Sequence, residues 1–477
     1  MKRRDALKSL GAAAGSTALF REVYSKKYDD DETAKALIEQ DQAGPSLGIP
    51  PSYEWKKPAK PLTAAVLGAG NRGHVYAGYA LKYPEELNIV GVAEPIPWRR
   101  ERFAAEHHIP AERQWTTWER AFDGSRFCDA MIITTWDRLH YGAAMAALEK
   151  GYHLILEKAI AQSWDQCRDI LRLAERKDRI VAICHVLRYT PYFRMMKHAV
   201  DTGRIGRIIS VQHTEPFGNI HMSHAFVRGN WRNSKESTPI LLSKSCHDLD
   251  ILRWIIGEPC RRVTSFGRLS FFQKENAPKG STARCTDGCA VEKDCIYSAL
   301  RIYLREKIWD TNHLYIPDTR PATILKALQE GRYGTCVFRS DNDVVDHQVV
   351  GMEFGDGITA GFNMEGMTSY GGRKTRIFGT EGDIVGDSET LTVTEFNTGK
   401  QHIWDIRQHA SISSGHGGGD HGLARDFIQA VTRSDARLLT STLADSMESH
   451  LIGFTAENSR HNGGAVREID LKRAGTV

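Results

Sequence analysis

Short apolar runs alternate with amphipathic helical runs through the first half of the chain. The first unit is Leu62–Glu94, in which an apolar run, a glycine-rich turn and a helical run lead to a second apolar run that ends in Glu94. Further buried-type strands are predicted at 129–135, 152–156 and 179–184, with helices at 99–107, 139–150 and 165–177 between them. This alternation predicts an α/β Rossmann domain, a doubly wound parallel sheet, over residues 61–187. Ligands of such sheets bind beyond the carboxyl ends of the strands.

The pattern changes in the second half, where period-two strands follow one another and helices are fewer. Strands are predicted at 208–213, 262–270, 344–354, 358–364, 374–378 and 390–396, and helices at 192–202, 247–256, 422–431 and 443–459. Such runs predict an α+β domain with an open, mostly antiparallel sheet over residues 188–477. Residues 271–343 lack periodicity and are interpreted as an insertion in this domain.

The glycine-rich turn has the spacing of a dinucleotide-binding motif. Gly68 permits a tight turn, Gly70 lets the backbone approach a pyrophosphate, and Gly73 lets the helix pack on the strand. The positive end of the helix then faces the phosphates. Glu94, roughly twenty residues after the last glycine, is placed to accept hydrogen bonds from a ribose.

The acid at the end of the second strand bears on the choice of cofactor. A carboxylate at Glu94 repels a 2′-phosphate and favours NAD, whereas the nearby Arg99 and Arg100 leave NADP possible.

Charge and hydropathy exclude two classes of partner. A formal net charge of +4 over 477 residues is small, so it does not indicate binding to nucleic acid or to a membrane surface. The sequence has no run of about eighteen apolar residues, so no membrane span is expected.

The N-terminus carries paired arginines, Arg3 and Arg4, before the weakly apolar segment Ser9–Phe20. This arrangement resembles a twin-arginine export signal over residues 1–30 and predicts a periplasmic or extracytoplasmic protein. The alternative is a basic N-terminal helix on a cytoplasmic protein. Residues 31–60 are acidic and then rich in proline, which indicates a linker or an arm.

Three polar segments are candidates for chemistry. Lys158 follows the strand predicted at 152–156, where it can reach a nicotinamide and exchange a proton with a sugar hydroxyl. His247 opens a helix, whose positive end favours a neutral imidazole base. The glycine-rich segment Gly415–His421 offers His416 for contact with substrate hydroxyls. Each segment also has a purely structural interpretation. Lys158 would be an ordinary exposed lysine, His247 a structural histidine, and Gly415–His421 a flexible loop with an Asp N-cap.

The order of the glycine-rich turn, Glu94, Glu157-Lys158 and His247-Asp248-Leu249-Asp250 resembles the Gfo/Idh/MocA oxidoreductases. The resemblance covers roughly residues 61–270 with specific motifs. It implies NAD(P), with NAD tightly bound, and a sugar held between the two domains. Lys158 and His247 would be the catalytic residues, and the family commonly forms homo-oligomers. It further assigns the cofactor to Asn71, Arg72, Thr135, His140, Glu157 and Arg188, and the substrate to Tyr189 and Asp248.

Two residues depart from the family's motifs. Ala159 stands in place of a proline, and Ser243 stands where the Asp-x-x-x-His motif has its aspartate. Without that carboxylate a simple dehydrogenase relay is in doubt. Three hypotheses therefore stay open: an NAD(P)-dependent sugar or glycoside oxidoreductase, a redox-neutral NAD-dependent glycosidase, and a non-catalytic sugar-binding relative.

The nine cysteines exclude a complete disulfide framework because their number is odd. Cys128, Cys167 and Cys184 lie in apolar segments and are predicted to be buried thiols. Cys285, Cys289 and Cys295 lie close together in the insertion. A disulfide with a free thiol is favoured for them in an exported protein, and a metal or cluster site is the alternative.

Overall fold

A computed structural model describes residues 55–406 and 416–470. The predicted export signal and most of the predicted arm lie outside the described residues. None of the described helices is long and apolar enough to cross a lipid bilayer.

The first domain has a six-stranded parallel sheet in the order β3-β2-β1-β4-β5-β6. Its strands are β1 (Leu62–Leu67), β2 (Leu87–Ala93), β3 (Gln114–Trp115), β4 (Ala130–Ile133), β5 (His153–Leu156) and β6 (Val181–Ile183). Its helices are α1 (Asn71–Lys82), α2 (Pro97–Glu106), α3 (Asp137–Glu149) and α4 (Trp164–Arg176). All residues of β4 are buried, because helices cover both faces of the sheet.

The second domain has a nine-stranded sheet in the order β14-β13-β12-β11-β7-β10-β9-β8-β15. Its strands are β7 (Ile208–Pro216), β8 (Cys260–Arg268), β9 (His347–Phe354), β10 (Ile358–Glu365), β11 (Lys374–Gly379), β12 (Gly382–Gly386), β13 (Thr390–Glu395), β14 (Gln401–Asp405) and β15 (Arg467–Glu468). The neighbours β7 and β10 are parallel, and the other neighbouring strands are antiparallel. The predicted fold class, a Rossmann domain followed by an open, mostly antiparallel sheet, is confirmed.

The second half also supplies helices, and the last two of them pack against the first domain. They are α5 (Pro191–Asp201), α6 (Ile240–Ser243), α7 (Cys246–Ile256), α8 (Pro321–Glu330), α9 (Gly419–Thr432) and α10 (Leu443–His461). Leu423 and Phe427 of α9 are buried in one apolar core with Val66 of β1. Met447 of α10 is buried with Leu156 of β5 on the other side of the parallel sheet. The end of the chain therefore completes the first domain as well as the second.

The insertion at 271–343 folds around a small apolar core of its own. Ile302, Tyr303 and Leu328 are fully buried there, and α8 supplies part of this core. A π-helical segment, Met222–Arg228, packs beneath it, and a second one lies at Leu300–Arg305. Neither π-helical segment has the 3.6-residue pattern from which a helix is predicted.

Candidate active site

The glycine-rich turn connects β1 to α1 with little room for side chains inside the protein. Gly68 has φ +99°, and a Cβ there would lie 2.7 Å from the Thr134 carbonyl oxygen. A Cβ on Gly73 would lie 2.3 Å from the Gly68 oxygen. At Gly70 a Cβ would meet no protein atom within 4 Å, and no side chain caps α1 at this residue. The turn thus leaves an open cradle at a helix N-terminus, which fits a pyrophosphate.

Glu94 lies directly beside this cradle. Its carboxylate accepts hydrogen bonds from the amides of Ala69 (2.9 Å) and Ile96 (3.0 Å), so it also holds the glycine turn in place. Arg100 donates to the Glu94 carbonyl oxygen at 2.6 Å. Arg99 donates to the carbonyl of Asn312 at 3.1 Å. Both arginines of the sequence-based NADP argument are thus engaged within the protein.

The loop after β4 also borders the cradle. Thr134 donates to the Gly68 oxygen at 2.7 Å, whereas the buried Thr135 hydroxyl has no protein partner. His140 is almost fully buried, with ring nitrogens 3.1 Å from the Thr135 oxygen and 2.7 Å from the Ala159 oxygen. His140 therefore joins the loops after β4 and β5. An open cradle and an unpartnered hydroxyl at the same sheet edge fit a dinucleotide.

Lys158 reaches from the end of β5 to the second domain. Its ammonium group donates to the Ser243 carbonyl at the end of α6. Among the described residues no carboxylate lies within salt-bridge distance of its Nζ atom. Ser243, which stands where the motif has an aspartate, thus orients Lys158 through its main-chain oxygen. Ala159 is fully buried and follows a cis peptide bond.

Glu157 and Arg72 connect the β5 loop to the glycine turn. Arg72 Nε lies 2.5 Å from the Glu157 carboxylate, and its Nη2 lies 2.6 Å from Asp420. Burial opposes ionisation of Glu157, but the charges of Arg72 and Lys158 outweigh it and lower its pKa. Asp420, at the start of α9, also accepts from His416 Nδ1 at 3.1 Å. Although burial opposes it, hydrogen bonds from His416 and Arg72 lower the pKa of Asp420 to about 2.

Three histidines gather behind Lys158. The His247 ring lies 5.8 Å from His185 and 6.1 Å from His416 between ring centroids. Both nitrogens of His185 and Nδ1 of His247 are buried without a hydrogen-bond partner, and His185 Nε2 lies 3.7 Å from the Asp250 carboxylate. Burial, reinforced for both residues by nearby cations including Lys158, holds the pKa of each well below its ordinary value. Both rings are therefore neutral, and a neutral imidazole can accept a proton.

Asp248, predicted to bind substrate, takes part in a buried network of charged side chains. It is fully buried, and it accepts from Arg373 at 2.6 Å and from His213 at 3.0 Å. Arg373 also pairs with Glu215 at 3.1 Å, and Glu215 pairs with Lys244 at 2.8 Å. Its oxygens are engaged by this network, and the assignment of Asp248 to the substrate stays a prediction.

Arg188 and Tyr189, predicted to bind cofactor and substrate, form hydrogen bonds inside the protein. Arg188 is buried and makes two 2.7 Å hydrogen bonds to Asp250, so its charge is neutralised inside the protein. The buried Tyr189 hydroxyl lies 2.9 Å from the Ser441 hydroxyl and accepts from the Ser441 amide. Neither side chain offers a free polar group to a ligand. Their assignments to the cofactor and the substrate stay predictions.

Sequence reasoning missed several residues of this cleft. His185 follows β6 at the carboxyl edge of the sheet, so the rule that singled out Lys158 could have found it. Lys244 follows the departure at Ser243 and pairs with a buried acid. Trp231, whose ring lies 6.0 Å from Lys158 Nζ, comes from an irregular segment with no sequence signal.

The cysteines of the insertion are unpaired. All nine cysteines of the chain are free, including Cys285, Cys289 and Cys295. The expected disulfide among these three is therefore wrong. Cys128, Cys167 and Cys184 are buried thiols, as predicted.

Comparison with known proteins adds a family context to this geometry. Residues 62–185 match the family model GFO_IDH_MocA, an oxidoreductase family with an NAD-binding Rossmann fold. Residues 197–467 match the model of that family's C-terminal alpha/beta domain.

Individual relatives are distant. The oxidoreductase YteT of Bacillus subtilis is 22% identical over 370 residues, which cover 73% of this chain and 83% of that protein. The 2,7-anhydro-N-acetylneuraminate hydratase of Escherichia coli is 24% identical over 38% of this chain and 44% of its own length. Alignments with other relatives span 37% to 58% of the relatives' lengths.

A solved structure supports the fold. An inositol dehydrogenase homolog from Azotobacter vinelandii, complexed with NADH and myo-inositol, superposes with a TM-score of 0.62 at 15% identity. The superposition covers 87% of this chain and 99% of the other.

Proposed function

Because the chain belongs to the Gfo/Idh/MocA family of oxidoreductases, we propose that it transfers hydride between a nicotinamide and a ring CH–OH of a sugar or glycoside. The observation that carries this proposal is Lys158. Its ammonium lies at the carboxyl edge of the sheet, is oriented by the Ser243 carbonyl and has no carboxylate partner among the described residues. Such a group is free to bind a substrate oxygen.

The nicotinamide, when bound, supplies C4 as the hydride acceptor or donor. Lys158 would bind the reacting sugar oxygen and stabilise the charge that develops there as hydride leaves the ring carbon. His247, neutral because it is buried near Lys158, would accept the hydroxyl proton. Gly68, Gly70 and Gly73 would hold the pyrophosphate, and Glu94 the ribose.

A redox-neutral glycosidase is the second candidate. His416 forms a histidine–carboxylate pair with Asp420 beside His247, which provides a second acid–base group in the cleft. Transient oxidation at one ring carbon would acidify the neighbouring C–H. A base would then remove that proton, the aglycone would leave with a proton from an acid, and water addition and re-reduction would complete the cycle. The relationship to a hydratase supports an addition–elimination capacity.

A panel of sugars and glycosides with excess NAD⁺ separates the candidates. Net dehydrogenation predicts reduced nicotinamide, followed by its near-ultraviolet absorbance, well beyond one equivalent per protein. Glycosidase chemistry predicts released sugar while reduced cofactor never exceeds one equivalent. A protein that binds sugar but no dinucleotide would instead be a non-catalytic relative.

For the cofactor we propose NAD, bound tightly enough to stay with the protein. Glu94 supports NAD over NADP, and Arg99 and Arg100 are engaged by main-chain carbonyls. A dissociation constant for NAD⁺ at least tenfold below that for NADP⁺ is expected. The reverse order would contradict this assignment.

For the location we propose export by the twin-arginine route. This route carries folded proteins, so a protein could load its dinucleotide in the cytoplasm. Replacing Arg3 and Arg4 together by lysine should retain the full-length protein in the cytoplasm. Unchanged fractionation of this variant would refute the export proposal.

A further inference from the structure

Four cysteines line one cavity in the insertion. The cavity is partly open to solvent, and its walls include Cys285, Cys289, Cys295 and Cys336. Cys336 comes from the far end of the insertion, which folds back so that the 284–285 and 335–336 segments pair through main-chain hydrogen bonds. The fold thus adds a fourth thiol to the three that are close in sequence.

Arg228 is a buried cation at the wall of the same cavity. Its side chain is 1% exposed, and it forms no salt bridge with any carboxylate of the described residues. Nη2 donates to the Tyr297 carbonyl and lies 3.6 Å from Cys285 Sγ, whereas Nη1 is buried without a partner. A buried positive charge without an anion is costly, so this site needs negative charge.

A second donor is directed at the same sulfur. The Ala299 amide lies 3.3 Å from Cys285 Sγ. Hydrogen bonds from amides and cations to sulfur stabilise thiolates that bind metal. Two donors of this kind therefore lie next to Cys285 Sγ.

The spacing of the four sulfurs distinguishes between metals. Thiolates that share one zinc ion, with bonds of about 2.3 Å, lie about 3.8 Å from one another. Among the described residues the one triad of ligand atoms mutually within 4.8 Å is His185, Cys246 and His247, so no three of the four sulfurs come this close. Thiolates of an iron–sulfur cluster bind different irons and lie further apart.

We propose that Cys285, Cys289, Cys295 and Cys336 bind an iron–sulfur cluster through all four thiolates, with Arg228 as its buried counter-charge. Each thiol loses its proton when it binds iron. Burial raises the pKa of the Cys295 and Cys336 thiols, so the metal and Arg228 must stabilise the thiolate form.

The cluster would stabilise the part of the protein that lies next to the cofactor cleft. It would fasten the two ends of the insertion together, and the insertion touches the first domain through Asn312 and Tyr315. The Arg99 guanidinium lies 4.6 Å from the Tyr315 ring, just beyond β2 and Glu94. Arg228 ends the π-helical segment three residues before Trp231, which lies beside Lys158.

The test is metal and sulfide analysis of the full-length protein, produced with iron and purified without oxygen. The proposal predicts two or four irons with matching acid-labile sulfide per chain, broad visible absorbance and a paramagnetic signal in one oxidation state. About one zinc per chain without sulfide, or thiols recovered as disulfides without metal, would overturn it.

Matched variants then locate the cluster. Cys289→Ser should lower bound iron at least fivefold, whereas Cys128→Ser, at a buried thiol of the first domain, should leave it unchanged. Arg228→Met keeps all four thiolates and should shorten the half-life of the visible absorbance under a chelator at least threefold. Iron that persists in Cys289→Ser, for example at His185, Cys246 and His247, would contradict the assignment.

Discussion

At the scale of single residues, Lys158 shows how an ammonium group is oriented without losing its charge. Its ammonium is held by a main-chain carbonyl of the second domain and not by a carboxylate. A carbonyl orients the ammonium without neutralising it, so the charge remains for a substrate oxygen. The Glu157 carboxylate beside it is engaged by Arg72.

Replacing Lys158 by methionine should lower kcat about 10²- to 10³-fold, the usual cost of removing one group that stabilises charge developing in the transition state. Methionine retains much of the length of the side chain but cannot bind the sugar oxygen. Lys150→Met, at an exposed lysine that follows α3, is the matched control and should turn over normally. Equal turnover in both variants would remove Lys158 from the mechanism.

Buried histidines make a pH-dependent contribution to stability. Burial next to His185 lowers the pKa of His450 to about 3, against about 6.5 in an unfolded chain. Between these values the unfolded state binds the proton and the folded state does not. The free energy of unfolding should therefore fall by about 1.4 kcal/mol per pH unit for this residue as pH decreases from about 6.5.

His450→Gln should make the dependence of the unfolding free energy on pH shallower by that amount between pH 6 and 4. His198→Gln, at a half-exposed histidine of α5, serves as the control. Parallel curves for wild type and His450→Gln would show that His450 does not titrate as the structure predicts.

At the scale of elements, the β1–α1 turn and the strands around it could be predicted, whereas the insertion could not. Apolar runs and GxGxxG spacing are local signals, and β1, α1 and β2 lie where these signals placed them. The hydrogen bonds of Arg188 with Asp250 and of Tyr189 with Ser441 join residues that are far apart in sequence. No local sequence pattern therefore reveals them. The same holds for Cys336, which reaches the other cysteines only after folding.

Alanine variants of Gly70 and Gly73 should separate binding from stability. Gly73→Ala places a Cβ against the Gly68 oxygen and should cost about 1–3 kcal/mol of stability. Gly70→Ala meets no protein atom, so its melting temperature should match wild type while NAD⁺ affinity falls at least tenfold. Calorimetric titration and thermal unfolding measure the two effects. Wild-type NAD⁺ affinity in Gly70→Ala would contradict the cradle.

At the scale of the whole molecule, several strands of the nine-stranded sheet expose an apolar side chain. Ile209, Phe266, Val349, Val385 and Ile403 are each at least 43% exposed and come from five of its strands. Exposed large apolar side chains that share a surface with polar ones occur in protein interfaces. We propose that two copies of the chain pair through this surface.

Val385→Lys with Ile403→Lys should shift the sedimenting species from dimer to monomer. Leu81→Lys, at an equally exposed apolar residue of α1, is the control and should not change the mass. A wild-type monomer at micromolar concentration, or a dimer that survives the double substitution, would contradict pairing through the sheet.

The central claim is that hydride passes between a sugar ring carbon and a nicotinamide in the Lys158 cleft. Its most direct test is to mix the protein and NAD⁺ rapidly with ring-deuterated substrate, quench within one turnover and analyse the dinucleotide by mass spectrometry. Both the dehydrogenase and the redox-neutral glycosidase predict one deuterium in the reduced nicotinamide, and Lys158→Met predicts far less. A sugar that is consumed while the dinucleotide never acquires deuterium would contradict the account.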